Sequence, residues 1–61
     1  MNRYHIVCYP YFDHYGDYDD AMSYVTSDYC NVHIVDTVKH EVVYSRINNK
    51  VSINELNKEE M

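Results

Sequence analysis

The feature that most limits the fold of this chain is its shortage of purely apolar side chains. The chain has 61 residues, and eight tyrosines are counted among the 46% that are apolar. A domain this small has room for one core, which rarely supplies more than roughly 3–5 kcal/mol. We therefore expect a single domain, residues 1–61, that gains stability from a partner or from a second copy of itself.

The N-terminal region and the cysteines favour a cytoplasmic protein. No early segment has the pattern of a secretory signal, and no run reaches the roughly 18 apolar residues of a membrane span. The initial Met1 favours a complete small reading frame. Cys8 and Cys30 stand among apolar neighbours and form no CxxC pair, so we expect both thiols to be buried and reduced.

The first half of the chain predicts a strand and then a helix. Residues 3–12 are rich in aromatic and β-branched types, and Pro10 marks the edge or the end of that strand. Asp17 suits a helix N-cap, because its carboxylate can accept a hydrogen bond from a free backbone N–H. The helix is expected to end within residues 26–28, after two to three turns.

The second half predicts a hairpin and then a second helix. Residues 29–36 and 41–47 read as strands joined by a polar turn. Ser52 and Glu55 have the spacing of a capping box, and Val51 with Leu56 has that of a hydrophobic staple. These signals predict a short helix that begins at about residue 53.

The predicted fold class is α+β: a single small β-α-β-β-α domain with a three-stranded sheet, one helix packed on one face and a short C-terminal helix. A right-handed crossover would set the second strand parallel to the first. Alternation would turn Ile6, Cys8, Cys30, Val32 and Ile34 toward the helix. The opposite face would then carry His5, Val7, Tyr9, Tyr11, Tyr29, His33 and Val35. The facing of the third strand stays open, because Val42 and Val43 are both apolar.

Charge and tyrosine are concentrated in the same stretch of the chain. Residues 4–38 contain six aspartates, seven of the eight tyrosines and no Lys or Arg, while the whole chain has a net charge of −5. An acidic field steers association toward basic partners and disfavours direct nucleic-acid binding. Tyrosine suits interfaces, because it combines a large ring with a polar tip.

Catalytic and metal-binding patterns are not found. The spacing of the four histidines matches no ligand motif, and the Asp-His cluster in residues 13–19 lacks the pattern of a calcium loop. Strand alternation places Cys8 on the face opposite to His5 and His33, out of reach for a thiol–imidazole pair. We therefore predict no enzyme, no catalytic residue, no metal and no cofactor.

The leading interpretation is a small acidic, non-enzymatic interaction domain that binds and occludes or inhibits a macromolecular partner with a basic surface. In size and charge the chain is similar to phage-encoded inhibitors of host or defence proteins. Two alternatives stay open: a homodimeric self-association module, and a nucleic-acid mimic that occupies a basic DNA-binding groove. The residues expected to contact the partner are Tyr9, Tyr11, Asp13, Tyr15, Asp17, Tyr18, Asp19, Asp20, Tyr29 and His33.

Overall fold

The structure, a computed structural model, describes residues 2–56, which form one antiparallel sheet of five strands and one helix. The elements in chain order are β1 (Tyr4–Cys8), β2 (Phe12–Gly16), α1 (Tyr18–Val25), β3 (Val32–Asp36), β4 (Glu41–Ile47) and β5 (Lys50–Asn54). The strands lie in the order β2-β1-β3-β4-β5, so β2 and β5 form the two edges. The prediction of three strands and two helices is therefore wrong.

The predicted first strand, residues 3–12, is in fact a hairpin. The Tyr11 backbone N–H donates to the Cys8 carbonyl at 2.7 Å, across a turn that contains the cis Tyr9–Pro10 peptide bond. Pro10 therefore lies just beyond the end of β1. Of the two predicted roles, strand edge or strand end, the structure shows the second. The chain returns beside β1 as β2, with Cys8 opposite Phe12.

The parallel pairing predicted for the first two strands is also wrong. Both β2 and β3 are antiparallel to β1, and Ile6 lies opposite Ile34. Strands β2 and β3 are consequently parallel to each other, with β1 between them. The helix crossover that the sequence predicted thus joins β2 to β3, and the hairpin at residues 9–11 inserts the additional strand.

The C-terminal helix predicted from residue 53 is replaced by β5. Asn48 and Asn49 have φ angles of 52° and 65°, the left-handed conformation that a two-residue type I′ hairpin turn requires. This turn directs Lys50–Asn54 back along β4, and Leu56 is buried after the strand ends. Residues 57–61 of the predicted helix lie outside the described residues.

Other local predictions are confirmed. The Asp17 carboxylate caps α1 by accepting the Asp20 N–H at 2.9 Å, and the helix ends with Thr26 as its C-cap. The strand predicted at residues 41–47 is β4, and it forms the expected hairpin with β3. Each of these features was predicted from residues that lie close together in the sequence.

The core lies between the sheet and α1, on what we call the helix face. A β-bulge in the pairing of β3 with β4 decides the facing of β4: Val42 lies opposite Val35, while Val43 is buried. Cys8 is buried as predicted, but Cys30 precedes β3 and is exposed. The buried apolar residues are Tyr4, Ile6, Cys8, Ala21, Val32, Ile34, Val43, Tyr44 and Leu56.

The opposite side of the sheet is what we call the open face, because α1 does not pack on it. Helix α1 packs on the helix face, where the Tyr18 hydroxyl donates to the Leu56 carbonyl. The strand registers place side chains from all five strands on the open face. These side chains are His5, Val7, Asp13, Tyr15, His33, Val35, Val42, Ser45, Ile47, Lys50 and Ile53.

Candidate interaction surfaces

Five aromatic rings meet beside edge strand β2, on its helix side. Phe12 has its ring centroid 6.0 Å from Tyr24 of α1 and 5.7 Å from Tyr29, in edge-to-face geometry in both cases. His14 lies 5.4 Å from Tyr24, and Tyr11 lies 6.0 Å from Tyr29. Such pairs stabilise one another beyond the area that they bury. We call this cluster the aromatic edge: Tyr11, Phe12, His14, Tyr24 and Tyr29.

Much of the aromatic edge faces solvent. Tyr11 is 70% exposed, Phe12 40% and Tyr29 36%, and Phe12 is the only phenylalanine of the chain. Burial, followed by the nearby Asp20 carboxylate, raises the pKa of the Tyr24 hydroxyl, which therefore stays neutral at physiological pH. Within the described residues β2 pairs with β1 alone, so no strand pairs with its outer edge. The cluster thus combines exposed rings with an unpaired strand edge.

Carboxylates surround the start of α1, next to the aromatic edge. Asp20 reaches back across the end of β2, where its Oδ2 lies 3.1 Å from His14 Nε2. Gly16 makes this approach possible, because a Cβ at that position would overlap with the same oxygen. Asp17, the N-cap, and Asp19, in the first turn, are exposed, and Asp28 is exposed beyond the end of the helix.

The open face has a different chemistry. His5 stacks on Tyr15 with ring centroids 4.6 Å apart, and its Nε2 lies 2.9 Å from Asp13 Oδ2. Near the opposite end of the strands, a shallow groove of about 340 Å³ runs over apolar side chains. Its lining residues are Val7, Tyr9, Asn31, His33, Ile47 and Asn48.

The acidic surface is smaller than the sequence predicts, because three of the six aspartates in residues 4–38 are engaged. Asp36 is buried and forms a two-pronged ion pair with Arg3, at 2.8 and 2.6 Å. Asp13 lies against His5, and Asp20 against His14. Of the other three, Asp17 caps α1, while Asp19 and Asp28 are exposed.

The predicted contact residues divide between two surfaces. Tyr11 and Tyr29 are on the helix side, so the prediction that they share a face with Tyr9 and His33 is wrong. Alternation could not be extended to either residue, because Tyr11 lies in a turn and Tyr29 precedes β3. The helix side holds Tyr11, Asp17, Tyr18, Asp19, Asp20 and Tyr29, while Tyr9, Asp13, Tyr15 and His33 lie on or beside the open face.

Among these residues, Tyr18 differs because its side chain contacts residues of the core. Its ring packs 6.3 Å from the buried Tyr4, and its hydroxyl donates to the Leu56 carbonyl at 3.2 Å. Three members of the aromatic edge were not predicted: Phe12, His14 and Tyr24. The alternation of Phe12 and His14 along β2 becomes a signal only once the turn at Pro10 is recognised, and Tyr24 lies on α1.

The geometry separates the groups that were considered for metal binding or catalysis. Adjacent residues Asp13 and His14 lie on opposite faces of β2, and residues 2–56 contain no group of three His, Cys, Asp or Glu side chains arranged to hold a metal ion. Cys8 faces the helix while His5 and His33 lie on the open face, as predicted. Burial raises the pKa of the Cys8 thiol, although Arg46 partly opposes this effect.

Helix α1, with eight residues, is too short to cross a bilayer, and the described part of the chain has no other helix that could do so. Comparisons of the chain with protein-family models, with curated proteins and with solved structures give no match.

Proposed function

We propose that this chain is a small, non-enzymatic interaction domain that binds a macromolecular partner through the aromatic edge and occludes the surface that it covers. The observation that carries this proposal is the exposure of Tyr11, Phe12 and Tyr29 in one cluster at an unpaired strand edge. Exposed aromatic rings are enriched at interfaces and at their energetic hot spots. In a chain with so few apolar side chains, the only phenylalanine is expected in the core. Contact with a partner explains why Phe12 lies at the surface.

The partner has a basic surface in this proposal. The exposed carboxylates of Asp17, Asp19 and Asp28 lie on the same side of the sheet as the aromatic edge. Together with the net charge of −5, they favour approach by a positively charged surface. The rings would supply the apolar contact, and the carboxylates would provide orientation and speed of association.

A substitution series tests the proposal. The variant Tyr11→Ser/Phe12→Ser/Tyr29→Ser removes the exposed rings of the aromatic edge. Its matched control, Tyr15→Ser/Val42→Ser, removes exposed apolar area from the open face. Each immobilised protein is incubated with lysate of the cells that express it, and circular dichroism verifies the fold.

The wild type and the control are expected to retain the same partner, and the triple variant to lose it. Increasing the salt concentration should weaken capture, because exposed charges are screened. Equal capture by the folded triple variant would overturn the assignment of this surface. Salt-insensitive capture would overturn the basic character of the partner.

The other interpretations differ in their support. Mimicry of nucleic acid needs an array of free carboxylates, and the engagement of Asp13, Asp20 and Asp36 leaves few of them. Inhibition of a host or defence protein stays a prediction. A cytoplasmic location is favoured by the two free thiols, Cys8 and Cys30, because a reducing compartment keeps thiols in that state.

A further inference from the structure

We propose that a second copy of this chain packs on the open face, giving a two-fold symmetric dimer of two sheets. This surface is distinct from the aromatic edge, so the inference goes beyond the proposed function. An antiparallel sheet with one solvated face normally alternates apolar and polar residues, with the polar ones outward. Here five aliphatic side chains share the outward face with the polar ones: Val7, Val35, Val42, Ile47 and Ile53.

The exposure of these side chains indicates that the face needs a cover. Val42 is 38% exposed and Ile47 is 45% exposed, near the two ends of β4. The groove beside Ile47 adds an apolar depression that a flat sheet would lack. Sheets with an apolar face gain stability by packing on a second layer, about 10 Å away in a β-sandwich.

Charge selects a second copy as the cover. A chain with a net charge of −5 repels its own copy wherever free carboxylates would meet. On the open face the only carboxylate that the registers of β1–β5 place is that of Asp13, and His5 already lies against it. Asp17, Asp19 and Asp28 lie outside the open face, at the start of α1 and in the loop that follows the helix. The open face is therefore the surface on which two copies can approach with the least repulsion.

The charges also select the orientation of the dimer. Asp13 lies on edge strand β2, and Lys50, opposite Ile47 in the register, lies at the start of edge strand β5. A two-fold axis parallel to the strands stacks β2 of one copy over β5 of the other. Asp13 is then level with Ile53, and Lys50 is at the next open-face position of β5, from which its long side chain can reach toward Asp13. An axis perpendicular to the strands would stack β2 on β2 and set like charges together. The parallel axis also leaves the two aromatic edges free, at opposite sides of the dimer.

Sedimentation equilibrium tests the dimer on the intact chain. The variant Val42→Lys/Ile47→Lys adds two charges to the open face. Its matched control, Val38→Lys/Val51→Lys, adds the same charges at positions that are 62% and 55% exposed, in a turn and on the other side of β5. The wild type and the control should sediment at twice 7.3 kDa, and the open-face variant at 7.3 kDa with unchanged circular dichroism.

A wild type that remains monomeric at hundreds of micromolar would overturn the dimer, as would a folded open-face variant that dimerises like the control. Charge exchange then tests the orientation. Asp13→Lys and Lys50→Asp should each weaken association by about tenfold, and the double exchange should restore it, because opposite charges meet again. A double variant as weak as the single variants would overturn the parallel axis. Every variant should still capture the partner, because the aromatic edge is intact in all of them.

Discussion

At the scale of single residues, Asp36 shows how a charge can be buried in a core this small. Its carboxylate accepts hydrogen bonds from the Arg3 guanidinium and from the backbone N–H groups of Val38 and Lys39, at 2.9 and 3.1 Å. The Arg3 bond first, and then these N–H groups, lower the pKa of Asp36 to about 2 although burial opposes them. One side chain thus joins the N-terminal segment to the turn between β3 and β4.

The first prediction is a loss of stability in acid that depends on Asp36. Its pKa is about 3.8 in the unfolded chain and about 2 in the folded one. The stabilisation is therefore complete above pH 4 and disappears as the pH falls toward 2. Its size is about 2 kcal/mol, from the difference between the two pKa values. Urea unfolding followed by circular dichroism at several pH values measures it.

Asp36→Asn should lower stability at pH 7 and flatten this part of the pH profile. Asp28→Asn is the control, since Asp28 is exposed and lies in a loop. An equally steep profile in Asp36→Asn would show that another group causes the acid sensitivity.

Arg46 performs a second residue-scale task, at the C-terminal end of α1. The last turn of the helix has no basic residue of its own, and Arg46 of β4 supplies the cation. Its guanidinium donates to the carbonyls of Val25, Ser27 and Tyr29 at 2.9, 3.1 and 2.7 Å. These carbonyls have no partner within the helix, and a cation here also opposes the helix dipole.

The second prediction is that Arg46→Met destabilises the fold by about 2–4 kcal/mol, because buried carbonyls lose their donors. Arg46→Lys should recover only part of this loss, since an ammonium cannot reach the same set of carbonyls. Thermal and urea unfolding give the values. Glu41→Met is the control, because it removes an exposed charge from the same strand. A similar small effect for Arg46→Met and Glu41→Met would mean that the helix end does not depend on the guanidinium.

At the scale of elements, what the sequence predicts correctly is local. The N-cap of α1 and the strand β4 follow from patterns within a single segment, and both are present as predicted. The edge strands β2 and β5 were missed because each exists through pairing with a neighbour after a tight turn. Ser52 and Glu55 have the spacing of a capping box, but the left-handed Asn48–Asn49 turn and pairing with β4 prevail over it.

The third prediction tests this turn. Asn49→Ala should destabilise the protein by about 1 kcal/mol, because alanine is unfavourable at a positive φ. Asn49→Gly should be neutral or stabilising, since glycine is the preferred residue at this position of a type I′ turn. Ser52→Ala provides the contrast: it would cost about 1 kcal/mol at a helix N-cap, but it should cost little in the exposed position that Ser52 has in β5. Equilibrium unfolding of the three variants distinguishes a hairpin from a capped helix.

At the scale of the whole molecule, the tyrosines and acidic residues are concentrated in one half of the sequence, but the fold does not place them on one surface. Tyr4 and Tyr44 are in the core, Tyr15 is on the open face, and Tyr11 with Tyr29 belongs to the aromatic edge. Composition cannot predict how the tyrosines are divided between the core and the two surfaces, because this distribution depends on the additional β1–β2 hairpin. The result is a molecule with an acidic aromatic side and a nearly neutral apolar side, each suited to a different kind of association.

The fourth prediction follows from this division: salt should affect the two associations in opposite directions. Two copies with a net charge of −5 repel one another at long range although their open faces are nearly neutral, so screening should strengthen the dimer. Capture of a basic partner by the aromatic edge should weaken under the same change. Sedimentation at low and high sodium chloride measures the first effect, and partner binding in the same buffers measures the second. A dimer that dissociates at high salt would show that ion pairs, rather than Val42, Ile47 and their neighbours, hold the two copies together.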